Sequence, residues 1–174
     1  MTLNYKSKLK EISTFVFDID GVFTDNIVYL TADGEQMRTA NVRDGYAVQL
    51  AVKKGLRIVI LSGGKNEIVR KRFESLGVKD IFLGSSEKLP ILQAYLKQNE
   101  IDISTVCYMG DDIPDLPVLQ YVGLKTCPAD AASEIKEICD YISDRNGGKG
   151  CVRDILEQAL KIKNLWLDAE GHIW

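Results

Sequence analysis

The stretch FVFDIDGVFTD, residues 15–25, decides the fold because it joins an apolar strand directly to a cluster of acids. Residues 15–17 are aromatic or β-branched, which predicts a strand that enters a core. Asp18, Asp20 and Asp25 then follow within eight positions. Carboxylates at the end of a buried strand repel one another and lose hydration, so their placement indicates a chemical role.

Composition limits the classes of protein to which the chain can belong. Its 174 residues are 45% hydrophobic and 27% charged, with a net charge of −3, which fits one globular domain over residues 1–174. No basic stripe suggests nucleic acid, and no apolar run approaches the roughly 20 residues that span a bilayer. Its four cysteines are widely spaced and read as reduced thiols, so we expect a cytoplasmic protein.

Short β-rich runs alternate with segments of helical periodicity along the chain. Near-continuous apolar strands separated by helices are typical of a parallel sheet covered on both faces. We therefore predict an α/β fold, a Rossmann-like three-layer sandwich with a mostly parallel central sheet. The predicted strands are residues 14–18, 57–62, 80–84, 105–111, 123–127 and 140–144, and the predicted helices are residues 44–54, 65–76, 87–99, 114–121, 130–139 and 150–163.

One segment interrupts the alternation. Residues 26–42 read as two strands around Asp33-Gly34, a hairpin turn signal, and predict a β-hairpin flap beside the acids. A short tail, about 164–174, follows the last predicted helix and contains Trp166, Trp174 and the sole histidine, His172. We expect the tryptophans to pack on a protein surface and His172 to have no catalytic part.

Polar residues follow four of the predicted strands. Ligands bind at the carboxyl ends of the strands in an open parallel sheet, so these residues are expected to converge on one edge. Ser62 ends the second of these strands and Lys88 opens a helix after the third. The full predicted set is Asp18, Asp20, Ser62, Gly63, Gly64, Lys88, Asp111, Asp112 and Asp115.

Convergent carboxylates need a counter-charge, and a bound divalent cation is the simplest one. Mg²⁺ prefers oxygen ligands, whereas the absence of nearby histidine or cysteine argues against zinc. Mg²⁺ with a lysine and a serine hydroxyl suits the holding of a phosphoryl group. One carboxylate would then be the nucleophile, and a second, two residues later, would act as general acid and base.

Other interpretations remain open for individual residues and for the whole chain. Asp112 and Asp115 stand at the start of a helix near Pro114, where capping alone would explain them, and Asp25 could be a turn residue. A signalling receiver domain also carries an aspartyl-phosphate. Receivers place that acid after the third strand, where this chain has Gly84-Ser85-Ser86. A catalytically quiet oligomerisation domain is a further alternative, which the intact Asp18 and Asp20 disfavour.

The motif D-x-D-G-V-x-T-D, followed by a strand-end Ser, a helix-leading Lys and G-D-D-x-x-D, resembles the haloacid dehalogenase superfamily of phosphohydrolases. The resemblance covers essentially the whole chain. It implies that Asp18 is the nucleophile, that Asp20 is the acid and base, and that Asp111 joins Asp18 and the Asp20 backbone carbonyl around Mg²⁺. Ser62 and Lys88 would hold the phosphoryl group, with Asp112 or Asp115 behind the metal ligands.

Three further segments narrow the resemblance. NVRDGYAVQL (41–50), DIPDLPVL (112–119) and GGKGCVRDIL (147–156) are similar to the capless subgroup of 3-deoxy-D-manno-octulosonate 8-phosphate phosphatases. That subgroup implies a homotetramer in lipopolysaccharide precursor synthesis, with a flap and no separate cap domain. Phosphatases of nonulosonate 9-phosphates are the alternative, which the match at residues 43–46 disfavours.

The same resemblance implies substrate contacts at Arg43, Gly63, Gly64 and Lys65. Position 64 departs from the subgroup's pattern, since many members carry arginine there, two residues after the motif Ser or Thr. Lys65 follows immediately, but a lysine offers a point charge where arginine offers a bidentate grip on a carboxylate.

Overall fold

The computed structural model describes residues 4–167, and a six-stranded parallel sheet forms its centre. Every neighbouring pair in this sheet is parallel, in the order β5-β4-β1-β6-β7-β8. The predicted parallel α/β sandwich is therefore confirmed. The strands of this sheet are β1 Thr14–Phe17, β4 Arg57–Leu61, β5 Asp80–Phe82, β6 Val106–Met109, β7 Leu124–Cys127 and β8 Tyr141–Ile142, and the separate hairpin consists of β2 Tyr29–Leu30 and β3 Gln36–Met37.

Seven α-helices are found in the described part of the chain, one more than predicted. The unpredicted helix begins after Asn4, whose side chain accepts a hydrogen bond from the Lys6 amide. Asn41 and Asn66 cap two others in the same way, which fixes where those helices begin. The helices are α1 Tyr5–Glu11, α2 Val42–Lys53, α3 Glu67–Ser75, α4 Lys88–Gln98, α5 Leu116–Leu119, α6 Ser133–Ile138 and α7 Cys151–Ile162.

Both faces of the sheet are buried, which accounts for the continuous apolar strands. In β1, Phe15 and Phe17 point to the cluster that packs under α1, α2, α3 and α7. Val16 points the opposite way, to the cluster under α4, α5 and α6. All three side chains have no solvent exposure. Successive side chains on a strand alternate between faces, so an all-apolar strand needs helices on both sides.

Several strands end earlier than predicted, because the chain turns there to form loops. The predicted strand 105–111 stops at Met109, since the Asp111 amide donates to the Asp115 carboxylate and not to a neighbouring strand. The predicted strand 80–84 stops at Phe82, and Gly84 has the non-extended φ of +73°. The last predicted strand, 140–144, is reduced to Tyr141–Ile142.

The predicted hairpin is present between β1 and α2. Tyr29 pairs with Met37 in its antiparallel ladder, and Gly34 supplies the positive φ of the turn. Several apolar side chains of the hairpin are solvent-exposed, including Leu30 at 78% and Met37 at 55%. No helix in the span 4–167 is both long and apolar enough to cross a membrane. Of the predicted tail, residues 168–174, with His172 and Trp174, lie outside the described residues.

A buried carboxylate ties α2 to α7. Asp44, in the first turn of α2, is fully buried, and its Oδ1 accepts a 2.7 Å hydrogen bond from the Arg153 amide in the first turn of α7. No donor within residues 4–167 reaches its Oδ2. Burial raises the pKa of Asp44 from 3.8 to about 6, although hydrogen bonds from the Arg153 and Gly150 amides oppose the shift.

Asp44→Asn should therefore change how stability depends on pH. The folded protein binds the Asp44 proton more tightly than the unfolded chain, so this carboxyl contributes stability at low pH that is lost as pH rises through about 6. We expect the free energy of unfolding of the wild type to fall by about 2–3 kcal/mol relative to Asp44→Asn between pH 4 and pH 7. Urea titrations across this range measure it, with the exposed Asp144→Asn as control. A constant difference between wild type and Asp44→Asn would contradict the assignment.

Candidate active site

A buried lysine stands at the centre of the acidic cluster. Lys88 begins α4, is 6% exposed, and places its Nζ 2.7 Å from Asp18 Oδ2 and 2.6 Å from Asp115 Oδ1. The positive end of the helix dipole lies at the N-terminus of α4, where it disfavours the ammonium group of Lys88. The side chain of Glu87, at the cap position, does not accept a hydrogen bond from this end of the helix. The two carboxylates offset both that dipole and the loss of hydration.

Asp115 holds the loop after β6 in place. Its Oδ1 accepts from Lys88 and, at 2.5 Å, from the Tyr108 hydroxyl. Its Oδ2 accepts from the amides of Asp111 (3.0 Å) and Asp112 (3.4 Å). Both oxygens are thus fully engaged, which makes Asp115 a positioning residue for the other acids.

Asp112 caps a helical turn, which was the alternative interpretation of Asp112 and Asp115 in the sequence analysis. Its side chain accepts from the Ile113 amide, and with Asp115 it completes a capping box around Ile113–Asp115. The same side chain, Asp115, therefore both caps the short helix at Ile113–Asp115 and holds the other residues of the acidic cluster in place.

Asp111 approaches the loop after β1 very closely. Asn26 Nδ2 donates to Asp111 Oδ2 at 3.2 Å, and a Cβ at Gly21 would lie only 1.9 Å from that same oxygen. Gly21 also has a φ of +77°, so two independent constraints require glycine there. The loops after β1 and β6 thus bring Asp18, Asp111 and Asp115 together, with ligand oxygens within 4.8 Å of one another.

The cluster carries more negative than positive charge. Burial raises the pKa of Asp18 to about 6, with repulsion by Asp115 adding to the shift and Lys88 opposing it. Burial likewise raises the pKa of Asp111 to about 7, against the hydrogen bond from Asn26. Burial alone would lower the pKa of Lys88, but the charges of Asp18 and Asp115 outweigh it and the pKa is raised. When all three carboxylates are ionised, they exceed the one ammonium group by two negative charges, which a further cation would balance.

The cluster offers carboxylate oxygens as metal ligands and has an excess of negative charge, and both properties fit a divalent cation such as Mg²⁺. Each Asp115 oxygen already accepts two hydrogen bonds, whereas Asp18 Oδ1 accepts from the Ile19 amide, Asp18 Oδ2 contacts Lys88, and Asp111 Oδ2 accepts from Asn26. Asp18 and Asp111 are consequently better suited than Asp115 to ligate an ion, and the prediction that they are metal ligands stays a prediction.

Asp20 faces a partner that the sequence did not suggest. The guanidinium of Arg38, which directly follows β3 of the hairpin, donates from Nε to Asp20 Oδ1 at 2.6 Å and from Nη2 to Asp20 Oδ2 at 3.0 Å. The Asp20 side chain is 40% exposed, so it also borders the open cavity. This ion pair joins the residue after β3 directly to the acids.

The predicted strand-end residues line one cavity of about 390 Å³. Ser62 is buried, and its Oγ accepts from the Gly64 amide at 3.3 Å, which leaves the hydroxyl proton free to be donated into the cavity. The full lining is Asp18, Asp20, Asn26, Ser62, Gly63, Gly64, Ser85, Ser86, Lys88, Asp111, Asp112, Pro114 and Asp115. The structure thus brings together nine of the residues predicted from sequence.

Two predicted substrate contacts lie elsewhere in the single chain. Arg43 lines a separate cavity of about 1000 Å³ formed with α7, together with Lys149 and Arg153. Lys65 lines a groove of about 510 Å³ under the hairpin, which meets the acidic cavity at Gly64. Contacts from these two residues to a substrate stay predictions.

Sequence reasoning missed Asn26, Arg38, Ser85 and Tyr108. Arg38 had a usable signal, because a hairpin that starts beside the acids returns its second strand to the same place. Tyr108 had none, since its hydroxyl lies in an otherwise apolar strand and finds Asp115 only through the turn after β6.

Comparison with known proteins agrees with this geometry. Residues 78–155 match the model of the haloacid dehalogenase-like hydrolases. The 3-deoxy-D-manno-octulosonate 8-phosphate phosphatase of Salmonella typhi is 33% identical over 165 residues, which cover 95% of this chain and 88% of that protein. The crystal structure of the phosphatase of that name from Yersinia pestis superimposes with a TM-score of 0.90 at 28% identity, covering 93% of this chain and 88% of that one.

A third relative was solved with ligands. The 3-deoxy-D-manno-octulosonate 8-phosphate phosphatase of Moraxella catarrhalis, in complex with magnesium ion, phosphate ion and KDO, has a TM-score of 0.89 and 30% identity, covering 92% of each chain. The chain belongs to the haloacid dehalogenase-like hydrolases, in the family of the 3-deoxy-D-manno-octulosonate 8-phosphate phosphatases.

Replacing the central lysine tests how far the cluster depends on it. Lys88→Met removes the ammonium and leaves Asp18 and Asp115 buried together. We expect the free energy of unfolding at pH 7.5 to fall by about 3–5 kcal/mol, the usual effect of removing one partner of a buried ion pair. Chemical denaturation measures it, with Lys97→Met, at an exposed position of the same helix, as control. Equal losses for both variants would show that Lys88 does not neutralise the cluster.

Proposed function

We propose that this protein is a Mg²⁺-dependent phosphatase that hydrolyses 3-deoxy-D-manno-octulosonate 8-phosphate to the free sugar acid and phosphate. The observation that carries the proposal is the buried contact of Lys88 with Asp18, 2.7 Å apart, beside Asp111 and the Ser62 hydroxyl. An ammonium group, a hydroxyl and a nucleophilic carboxylate on one cavity wall suit a phosphoryl group better than a neutral ligand.

The residues divide the chemistry between them. Asp18 attacks phosphorus, the bond from phosphorus to the sugar oxygen breaks, and Asp20 gives that oxygen a proton. Water then attacks the aspartyl-phosphate, Asp20 takes a proton from the water, and phosphate leaves with Asp18 restored. Lys88 and Ser62 hold the phosphoryl oxygens throughout, because both can donate hydrogen bonds into the cavity.

Mg²⁺ would be held by Asp18 and Asp111, with the Asp20 backbone carbonyl as a further oxygen ligand. When bound, the ion neutralises charge on the phosphoryl group and on the acids. Asp115 and Asp112 would keep Asp111 in place through the amide contacts described above. This division is supported by the two hydrogen bonds that each Asp115 oxygen already accepts, against one partner for each Asp18 oxygen.

The assignment of the substrate rests on the relatives, and the assignment of the domain rests on the arrangement of the hairpin beside the acidic cavity. The relatives named above carry the octulosonate 8-phosphate in their names, and one was solved with KDO. We propose that residues 1–174 act as one hydrolase domain, in which the hairpin at about 26–42 takes the place of a cap. The open groove under the hairpin, next to the acidic cavity, supports this role.

We further propose a cytoplasmic homotetramer. The hairpin exposes four apolar residues by 50–78%, and such a patch on a short hairpin favours a protein contact; they are Ile27, Tyr29, Leu30 and Met37. The cysteines of the described chain are all free thiols, which fits a reducing compartment.

Phosphate release from a substrate panel tests the function. The panel sets octulosonate 8-phosphate against nonulosonate 9-phosphates and neutral sugar phosphates, with Mg²⁺ or with EDTA. We expect the octulosonate to have the highest kcat/KM, EDTA to abolish turnover, and Asp18→Asn to lower kcat by at least ~10³-fold through loss of the nucleophile. Preference for another sugar phosphate would keep the mechanism and reject the substrate. Metal-independent turnover would reject the mechanism.

Light scattering tests the assembly. We expect a mass of about four 19.5 kDa chains for the wild type. Leu30→Asp should shift the mass toward smaller species, because it places a charge in an apolar contact. Lys97→Asp, at an exposed site far from the hairpin in sequence, serves as the charge control. A monomeric wild type would refute the tetramer without affecting the phosphatase assignment.

A further inference from the structure

We propose that Arg38 recognises the carboxylate of the sugar-acid substrate, and that it exchanges its present partner, Asp20, for that carboxylate. The inference rests on the proposed function, which supplies a substrate with a phosphate at one end and a carboxylate at the other. It assigns to the hairpin a specificity-determining residue.

The first observation is the geometry of the Arg38 ion pair. Two parallel hydrogen bonds, 2.6 Å and 3.0 Å long, join its guanidinium to both oxygens of Asp20. The Arg38 side chain is only 14% exposed, and Nη1 is a further 3.4 Å from the Gln36 carbonyl oxygen. The fork is thus preorganised for bidentate recognition of a carboxylate, which is the arrangement that lysine cannot provide.

The second observation is the position of Arg38 between two spaces. It lines the groove of about 510 Å³ under the hairpin, which also contains Lys65. Its partner Asp20 lines the acidic cavity of about 390 Å³. Gly64 borders both spaces, so a substrate whose phosphate lies by Lys88 can extend its other end past Gly64 toward Arg38.

The third observation explains why Gly64 and Arg38 belong together. A Cβ at position 64 would lie 4.0 Å from Asp20 Oδ2 and 3.8 Å from Ser62 Oγ, so any long side chain there would start beside the atoms that Arg38 contacts. Gly64 itself offers no side chain that could contact a substrate there. In this chain, the cation that grips a carboxylate at this place is supplied by the hairpin, through Arg38.

The exchange is chemically balanced. A carboxylate of the substrate replaces the carboxylate of Asp20 on the same guanidinium, so one bidentate ion pair breaks as another forms. Asp20 is 40% exposed and can be reached from the cavity side. Once released, both Asp20 oxygens are available for the leaving group. A phosphate ester without a carboxylate leaves Asp20 paired with Arg38, and the enzyme therefore discriminates against it.

The experiment measures this discrimination as the ratio of kcat/KM for a carboxylated sugar phosphate to that for a neutral one. Octulosonate 8-phosphate is compared with arabinose 5-phosphate, and 6-phosphogluconate with glucose 6-phosphate. We expect Arg38→Ala to lower the ratio by ~10- to 100-fold, the range for losing a charge-assisted hydrogen-bonded pair. Arg38→Lys should lower it less, because the charge remains and the fork is lost.

Two further variants distinguish recognition of the substrate carboxylate by Arg38 from a purely structural role of Arg38 in the hairpin. Arg145→Ala removes a 61% exposed arginine side chain and should leave the ratio unchanged. Arg38→Ala combined with Gly64→Arg returns a guanidinium to the neighbourhood of Asp20, because a Cβ at position 64 would lie 4.0 Å from Asp20 Oδ2, and should recover at least part of the ratio. If Arg38→Ala lowers kcat/KM equally for both substrate classes, Arg38 only supports the hairpin and the proposal is wrong.

A binding measurement keeps the inference separate from the proposed function. Calorimetry with the free sugar acid and Mg²⁺ gives a Kd that needs no turnover, and we expect Arg38→Ala to raise it by ~10-fold or more. An unchanged Kd overturns the role of Arg38. If the wild type prefers another substrate to octulosonate 8-phosphate, the proposed function fails, while the second substrate pair and the Kd still decide on Arg38.

Discussion

The contact that the rest of the structure depends on is the ammonium group of Lys88 between Asp18 and Asp115. Charges that are almost removed from water must be neutralised nearby, and this one lysine neutralises acids from two different strand ends. Asp18 follows β1, Asp115 follows β6, and Lys88 follows β5, so the ion pairs join three loops that the sheet alone would leave independent. The incomplete neutralisation of the cluster is what makes it a binding site for a further cation.

The sheet determines where the acidic residues lie, and the loops after its strands determine where their side chains point. Parallel strands end at one edge, but the acids converge only because the turn after β6 donates its amides to Asp115 and because Gly21 lets Asp111 approach within van der Waals distance of the backbone. A strand that continued to residue 111 would have used those amides in the ladder. The early end of β6 is therefore required for the acidic cluster, because it leaves these amides free to bind Asp115.

Much of this arrangement could be predicted from the sequence, because apolar strands and acidic strand ends leave a strong local pattern. The parallel sheet, the hairpin and the cavity residues from Asp18 to Asp115 follow from that pattern. Tyr108 and Asn26 could not be found from the sequence. Tyr108 meets Asp115 only through the turn after β6, and Asn26 meets Asp111, which is 85 residues away in sequence. Helix α1 was missed because its burial rests mainly on Leu9, too little for a periodic signal.

The hairpin joins two tasks that the sheet cannot perform. Its exposed apolar side chains, such as Leu30, suit a contact with another protein surface, while Arg38 at its base reaches the acids. Both depend on the same short ladder, so an assembly that fixes the hairpin would also fix the position from which Arg38 acts. Because Gly64 borders both the acidic cavity and the groove beneath the hairpin, the hairpin can serve as the specificity element in a hydrolase that has no cap over its acids.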